Sequence, residues 1–519
     1  MADLNFAGIN LSTRGLWAAQ NAINTAGHDI ANANTEGFSR QTVKVAAASS
    51  AFPLTLQADP TKSSLGSGVD VEMVTRVRDQ FLDQQFRDVT VKYGEQDTFS
   101  GIMNQIEGLF NEPSDTGLQK LMSKYWEAWN EVSKRPTEAA ARANLRETGT
   151  AMTNRFNEIG SGLLKLREDI DDRIGAAVKD VNGMIDQLAQ LNAQISAALG
   201  ANVQPNNLMD QRDLLLDKLS RYTRLEQSQR SDGTTWVFIF GKAVVQGDKA
   251  QKLELVNNGE LSFNSVAYDK EPIPPAYMGG IFKGLFDMRD KVIGRPVVPP
   301  GSIQPNTPGG LAYQLDVLAN KLATSVNDLH RAGSTLQPGY GPDFFTIDSS
   351  KGVASQFNAT IINASNMSLN PVFSANGGAA LDLIAAGRAP GGAPGSETWP
   401  PKGDNGTALA ISQLQFKLVT DGTIASAVTA GKFTAEDFYR NVLTSLGVQG
   451  QTSKKLLDNQ KALLEHVDNL RQTVQGVNLD EEMANMIKFQ HTYAASARMI
   501  NTFDGLLDRV INQMGTVGR

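Results

Sequence analysis

Two stripes of apolar residues, one at each end of a 519-residue chain, share a seven-residue period. Near the start Ile9, Leu16, Ile23 and Ile30 recur every seven residues. Ser12, Ala19, Ala26 and Ala33 follow each of them by three. Near the finish Met486, Tyr493, Ile500, Leu507 and Met514 keep the same period, with Phe489, Ser496, Phe503 and Val510 offset by three. Such spacing places both sets on one face of a helix and is the pattern of a coiled coil. Ordinary bundle packing accounts for either stripe alone. Two of them at opposite ends, one carrying small residues and the other bulky ones, predict that the termini pair as knobs into holes. The first helix should stop at Asn32-Ala33-Asn34-Thr35-Glu36-Gly37, where Gly supplies a positive φ. The second should open at Asn478, with an Asx-type cap and an acidic first turn, Asp480-Glu481-Glu482. Two thirty-residue helices hold little core of their own, so the pair is expected to stabilise by stacking on neighbours.

Between the ends, helical and β patterns alternate. Apolar residues recur at three and four from Val74 to Phe110, through Val77, Phe81, Phe99, Ile102, Ile106 and Leu109. A second helix runs from Gly117 to Arg135 and stops at Pro136. A longer one covers Thr137 to Leu199, and Pro205-Asn206-Asn207 follows. Residues 234–246 are β-branched and aromatic around a central Gly241 and read as a hairpin, with further strands expected over 251–268. Helical pattern returns at 281–293 and 311–332, flanking a Pro- and Gly-rich loop from Arg295 to Gly310. Residues 336–405 hold short strands near Phe344 to Ile347 and a Gly- and Pro-dense run from Ala389 to Gly406. A last heptad follows: Leu456, Leu463, Val467, Leu470, Val474 and Val477. The fold expected is multidomain and mainly α with β-rich insertions: a terminal α-helical coiled coil, a long helical-bundle stem and outer β-rich domains. The divisions are 1–35 with 479–519 for the coiled coil; 36–220 with 280–335 and 407–478 for the stem; 221–279 for a β-rich insertion; and 336–406 for a second, variable one.

Composition narrows the chemistry. A net charge of −7 without a long basic block argues against nucleic acid as the main partner. No run of 18 apolar residues predicts a membrane span. Cysteine is absent, which removes disulfides, thiolate catalysis and Cys-ligated metals. The opening residues, Met1 to Asn5, lack the basic and apolar regions of a cleaved secretory signal, which by itself reads as cytoplasmic. The four histidines, His28, His330, His466 and His491, show no i, i+4 pair and no HExxH, so no metal is expected. Gly241-Lys242 and Gly431-Lys432 carry Trp236 and Ser426 where a P-loop needs its first glycine. Neither GxSxG nor GxGxxG occurs. Asp169, Asp171 and Asp172 crowd one helical turn and read as a solvated face rather than opposed catalytic carboxylates. No catalytic residue and no cofactor are expected. The class that fits these features is a structural protein that polymerises.

Specific residues then carry a resemblance. Ala31-Asn32-Ala33-Asn34-Thr35-Glu36-Gly37-Phe38-Ser39-Arg40-Gln41 resembles the N-terminal signature of flagellar rod, hook and hook-associated proteins. Val477 to Met483, continuing through Tyr493 and Leu507, resembles the C-terminal partner signature. Three internal stretches resemble the hook-associated protein 1 family in particular: Leu208-Met209-Asp210-Gln211-Arg212-Asp213-Leu214-Leu215, Trp236 to Gly241 with Val244 to Gly247, and Leu318-Ala319-Asn320 through Val326 to His330. His28 and Asp29 stand where relatives often carry two asparagines. Residues 346–440 add nothing to the resemblance.

The resemblance implies an extracellular component of the bacterial flagellum, exported unfolded through a type III channel and therefore without a cleaved signal. This reverses the cytoplasmic expectation. It implies a homo-oligomeric ring at the hook–filament junction, with hook protein and the third hook-associated protein as partners. In the family the terminal helices order on assembly and form an inner tube; here their seams would be Ile9, Leu16, Ile23, Ile30, Met486, Tyr493, Ile500, Leu507 and Met514. It also implies a cytoplasmic export chaperone covering the C-terminal helix, at Phe489, Tyr493, Ile500, Phe503 and Leu507. Another axial protein, the third hook-associated protein or a hook subunit, is the nearest alternative, and the Asp210–Asp213 segment speaks against it. A secreted hydrolase built on Asp343, Asp348, Asp382 and Asp404, and an intracellular coiled-coil scaffold, are more distant alternatives.

Overall fold

The structure, a computed structural model, describes residues 2–48, 68–257, 263–294, 309–348, 361–374, 378–391, 398–417 and 434–509. Most of the expected loop from Arg295 to Gly310, part of the run from Ala389 to Gly406, and Val510 and Met514 lie outside them. The chain forms two compact units, one of residues 1–91, 181–252 and 461–519, the other of 92–180 and 253–460. The fold is mainly helical with small antiparallel sheets inserted.

The first unit contains both chain ends. Helix α1 (Ala2–Asn32) leads into a hairpin of β1 (Gln41–Ala47) and β2 (Val69–Arg76), paired from Gln41↔Arg76 to Ala47↔Val69 with a bulge at Lys44/Val45. Val74 therefore lies on a strand, and the helix expected from that residue, α2 (Gln80–Phe110), starts six residues later. Alternation of Val69, Val71 and Met73 with polar residues suits a pleated ribbon, which outweighs the 3–4 spacing of Val74 and Val77. The uninterrupted helix expected over Thr137 to Leu199 is α3's successor in the chain. After α3 (Leu118–Lys134), which ends before Pro136, comes α4 (Ala139–Gly200). The end of α4 belongs to the first unit, as do α5 (Asn206–Tyr222) and a four-stranded sheet of β3 (Leu225–Gln229), β4 (Thr235–Ile239), β5 (Lys242–Gln246) and β6 (Lys249–Ala250), in that order. The β4–β5 turn places Phe240 at φ 55° and Gly241 at φ 73°, the left-handed pair a tight hairpin needs.

In the second unit β7 (Glu254–Asn257), β8 (Asn264–Tyr268) and β9 (Glu271–Pro272) form a three-stranded sheet. Then come α6 (Gly280–Phe286), continued by a π-helical turn over Asp287–Val292, and α7 (Leu311–Ala332). The short pair β10 (Phe345–Ile347) and β11 (Met367–Leu369) precedes α8 (Gly378–Leu381), α9 (Gly406–Ser412) and α10 (Ala435–Gln475), whose residues from 461 on belong to the first unit. An aromatic core of Tyr125, Trp129, Phe344, Phe345 and Phe373 holds this unit. Helix side chains secure the irregular segment against it. Asn327 Nδ2 donates to Phe345 O, and its Oδ1 accepts from the Phe344 and Phe345 amides. Arg142 donates to the Leu381 and Ile384 carbonyls at 2.9 and 2.7 Å.

The last heptad lies on α10 from Leu456 to Val474, with Val477 just beyond its end, but not in a buried seam. Leu456, Leu463, Leu470 and Val474 are exposed, and only Val467 is fully buried. Helix α11 (Leu479–Asp508) follows, capped by Asn478, whose side-chain oxygen accepts from the Asp480 and Glu481 amides.

Candidate assembly interface

The two terminal helices pack against each other. Their register can be read from glycines. A Cβ on Gly8 would lie 2.5 Å from the Phe503 ring, and one on Gly15 would lie 3.3 Å from Ser496 Oγ. A step of seven residues forward on α1 is a step of seven back on α11, so the helices are antiparallel and keep a heptad register. Two further steps bring Ala22 to Phe489 and Asp29 to Glu482. Ala22 and Phe489 line one cavity, and the charge of Glu482 acts on Asp29.

The packed face of α1 is thus built from its small residues, with Ser12, Ala19, Ala22 and Ala26 all buried. Ile9, Leu16, Ile23 and Ile30 sit about 100° further round the helix and are half-buried. On α11, Met486, Phe489, Ile500, Phe503 and Leu507 are half-buried and Tyr493 is exposed; Met514 lies outside the described residues. The structure brings the two stripes together along one helix pair. It sets the small residues at its centre and the large aliphatic ones along its edge, because only small residues let a Phe ring reach the opposing backbone.

A polar clamp closes the inner end of the pair. Both Asp29 carboxylate oxygens accept from the Gln41 amide, at 3.2 and 3.1 Å. Burial, with Glu482 adding to it, pushes the Asp29 carboxyl up to about 6 against the pull of that amide. Arg40 Nε meets Glu482 at 2.7 Å and Arg40 Nη2 meets Glu481 at 2.9 Å. Burial works against the Arg40 charge, but the two glutamates overcome it and hold the guanidinium above its ordinary value. The Arg40 amide also donates to Gln475 O, the last residue of α10. One arginine therefore ties the segment after α1 to the ends of both C-terminal helices.

Beneath the clamp lies an ionic network. On α5, Asp210, Asp213 and Asp217 are spaced by three and four, which sets three carboxylates on one face. Arg76 bridges Asp210 and Asp213 at 2.8 Å each; Arg78 reaches Asp83 at 2.8 Å and Asp213 at 3.1 Å. Asp217 joins Arg87 and Arg471, both at 2.7 Å. Ser39 Oγ donates to Asp210 at 2.8 Å. Arg78, Arg76, Arg87 and Arg212 together overcome burial and keep the Asp213 carboxyl below its usual range. Arginines and aspartates from β2, the segment after it, α2, α5 and α10 are thus paired within the first unit. Sequence reasoning noted Asp210–Asp213 only as a resemblance. The 3–4 spacing of the aspartates was the available signal; their arginine partners, up to 254 positions away, gave none.

No three His, Asp or Glu side chains gather as a metal site would require, among the described residues. No helix of the described residues is long and apolar enough to cross a membrane. Of the carboxylates considered for hydrolysis, Asp404 pairs with Arg388 and Asp343 with Arg331, at 2.9 and 3.3 Å.

Comparisons with known proteins agree with one another. Residues 103–345 match the family model described as flagellar hook-associated protein FlgK helical domain, and 473–514 match flagellar basal body rod FlgEFG protein C-terminal. Flagellar hook-associated protein 1 of Bacillus subtilis (strain 168) is 30% identical over 99% of this chain and 99% of its own. That of Escherichia coli (strain K12) is 27% identical over 97% and 99%. The fold is similar to that of the flagellar hook junction protein FlgK from Burkholderia pseudomallei, with a TM-score of 0.60 at 16% identity, covering 76% of this chain and all of that one.

Proposed function

The chain belongs to the flagellar hook-associated protein 1 family, structural proteins of the bacterial flagellum, and we propose that it joins hook to filament as a ring of identical subunits. The observation that carries this reading is the α1–α11 pair. Its centre is closed by small residues, while Ile9, Leu16, Ile23, Met486, Ile500 and Leu507 remain half-buried along its edge. Half-buried aliphatic side chains at a heptad repeat gain from further cover, and stacked copies supply it. The terminal pair, 1–35 with 479–519, forms the tube. The ring adapts a bending hook to a stiff filament and contacts hook protein on one side and the third hook-associated protein on the other. It works outside the cell, in the extracellular part of the flagellum.

Deleting residues 1–30 tests the reading. The folded middle should persist while hooks lose their filaments and flagellin is shed to the medium; normal filaments with that truncation would sink it. Before export, the α11 seam around Phe489, Tyr493, Ile500, Phe503 and Leu507 is held by a cytoplasmic chaperone. Replacing Ile500 and Leu507 together with Asp should weaken co-purification with it, and unchanged capture would refute that site.

A further inference from the structure

Beside the terminal helices lies an unfilled groove. It is a cavity of about 330 Å³ on one flank of the α1–α11 pair. Its floor is α1 at Ala18, Ala22 and Ala26. One wall is the β1–β2 hairpin at Val43, Val45 and Val69, and the other is α11 at Phe489 and Thr492. Val45 is 53% exposed, and Met499 and Leu506, one and two heptads beyond Thr492, continue that flank of α11 exposed to solvent. The space is more than twice the ~150 Å³ that a benzene-sized group fills in an apolar cavity.

The large aliphatic residues of the same helices lie on the other flank. Leu11 and Arg14 meet the hairpin, at Gly68 and Asp70, which fixes the side on which β1–β2 stands. At about 100° per residue, Ala18 turns roughly 60° from Gly15 toward the hairpin, while Leu16 turns about 100° away from it. On α11, Thr492 and Tyr493 likewise fall on opposite sides of the line through Phe489 and Ser496. The pair therefore carries a ridge on one flank and a groove on the opposite one, and no copy can fill its own groove.

We propose that the groove receives the ridge of a second copy of this chain, with Leu16 and Ile23 entering between the β1–β2 hairpin and α11. The dimensions agree. Seven residues of helix span about 10.5 Å, and the groove runs along α1 from Gly15 to Ala26, about 16 Å, so two successive ridge residues fit. A contact between two different surfaces of identical subunits is heterologous and propagates into a ring or a helix instead of closing as a dimer. The hairpin thereby becomes part of the subunit contact. This inference rests on the junction reading and names the surfaces through which its copies meet.

The absence of cysteine makes the test direct. Leu16→Cys or Ile23→Cys is combined in one chain with Val43→Cys, Val45→Cys or Thr492→Cys. Flagella isolated from cells expressing each variant are treated with oxidant. Gly15→Cys with Ser496→Cys is the control and closes within one subunit. The expected result is a ladder of dimers, trimers and higher species, collapsed by reductant and absent from each single variant. If the control closes while every ridge–groove pair in assembled flagella stays monomeric, the inference falls and the junction reading stands. If the cysteine-free parent is itself missing from the flagella, the junction reading falls and takes the inference with it.

Discussion

The ring of Phe503 rests on the backbone of Gly8: a single added methyl there would stand 2.5 Å from the ring's Cζ. This contact sets the axial position of one terminal helix against the other, and larger side chains at residue 8 have nowhere to go.

Gly8→Leu should therefore force the pair apart. Overpacking of this kind costs about 1–3 kcal/mol, enough to reduce incorporation into isolated flagella by roughly five- to 150-fold. Phe503→Ala in the same chain should restore part of it. The measurement is the amount of the protein in purified flagella, with circular dichroism of the secreted chain as the control for folding. Full incorporation of Gly8→Leu would contradict the register.

Asp217 is the shared anion of Arg87 and Arg471. Asp217→Ala removes the nearest anion of two buried guanidinium groups. Breaking a buried pair in this way costs about 3–5 kcal/mol. Urea denaturation of the purified chain should show an early transition confined to the first unit, with the second unit unfolding as before.

The clamp at the inner end makes a prediction about pH. The Asp29 carboxyl is raised to about 6, so the folded state binds its proton more tightly than the unfolded chain does. The penalty of ionised Asp29 is absent below about 4, grows through the interval to 6 and is complete above it. Asp29→Asn removes the charge and should stabilise the α1–α11 pair at pH 7.5 but not at pH 4. Amide exchange over Ala2–Asn32 and Leu479–Asp508 in assembled flagella reads this directly. Arg40→Ala should act in the opposite direction by leaving Glu482 buried beside Asp29, and Asp29→Asn should partly rescue it.

His330 behaves differently. It is fully buried; its Nε2 accepts from the Ala385 amide at 2.8 Å, so its Nδ1 donates to Pro342 O. Burial pulls its pKa down to about 4 from 6.5. The depressed value means the unfolded chain binds the proton first. Stability from this site is complete above about 6.5 and is lost as pH falls toward 4, by about 3 kcal/mol. Thermal melts of the parent should drop over that interval more steeply than those of His330→Gln, even though the variant starts lower at pH 7.5.

Much of the helix map was legible because local rules produce it. Pro136 ends α3, Asn478 opens α11, and Phe240-Gly241 turns the β4–β5 hairpin, each from residues within a few positions of the event. Val74 was misplaced on a helix because its 3–4 spacing with Val77 competes with a period-two strand that only its partner Val43 settles. The heptad of Leu456, Leu463 and Leu470 shows the related limit: periodicity announces a face, not what covers it.

Sequence alone determined that the two ends are heptad helices and that they are matched in size, because period and volume are properties of the residues themselves. Tertiary structure decided which residues form the seam. Ile9 and Leu16 share a period with Gly8 and Gly15, and a one-residue rotation about the helix axis changes no spacing. Contact with Phe503 and Ser496 selects between them, and it exists only once residues nearly five hundred positions apart lie side by side.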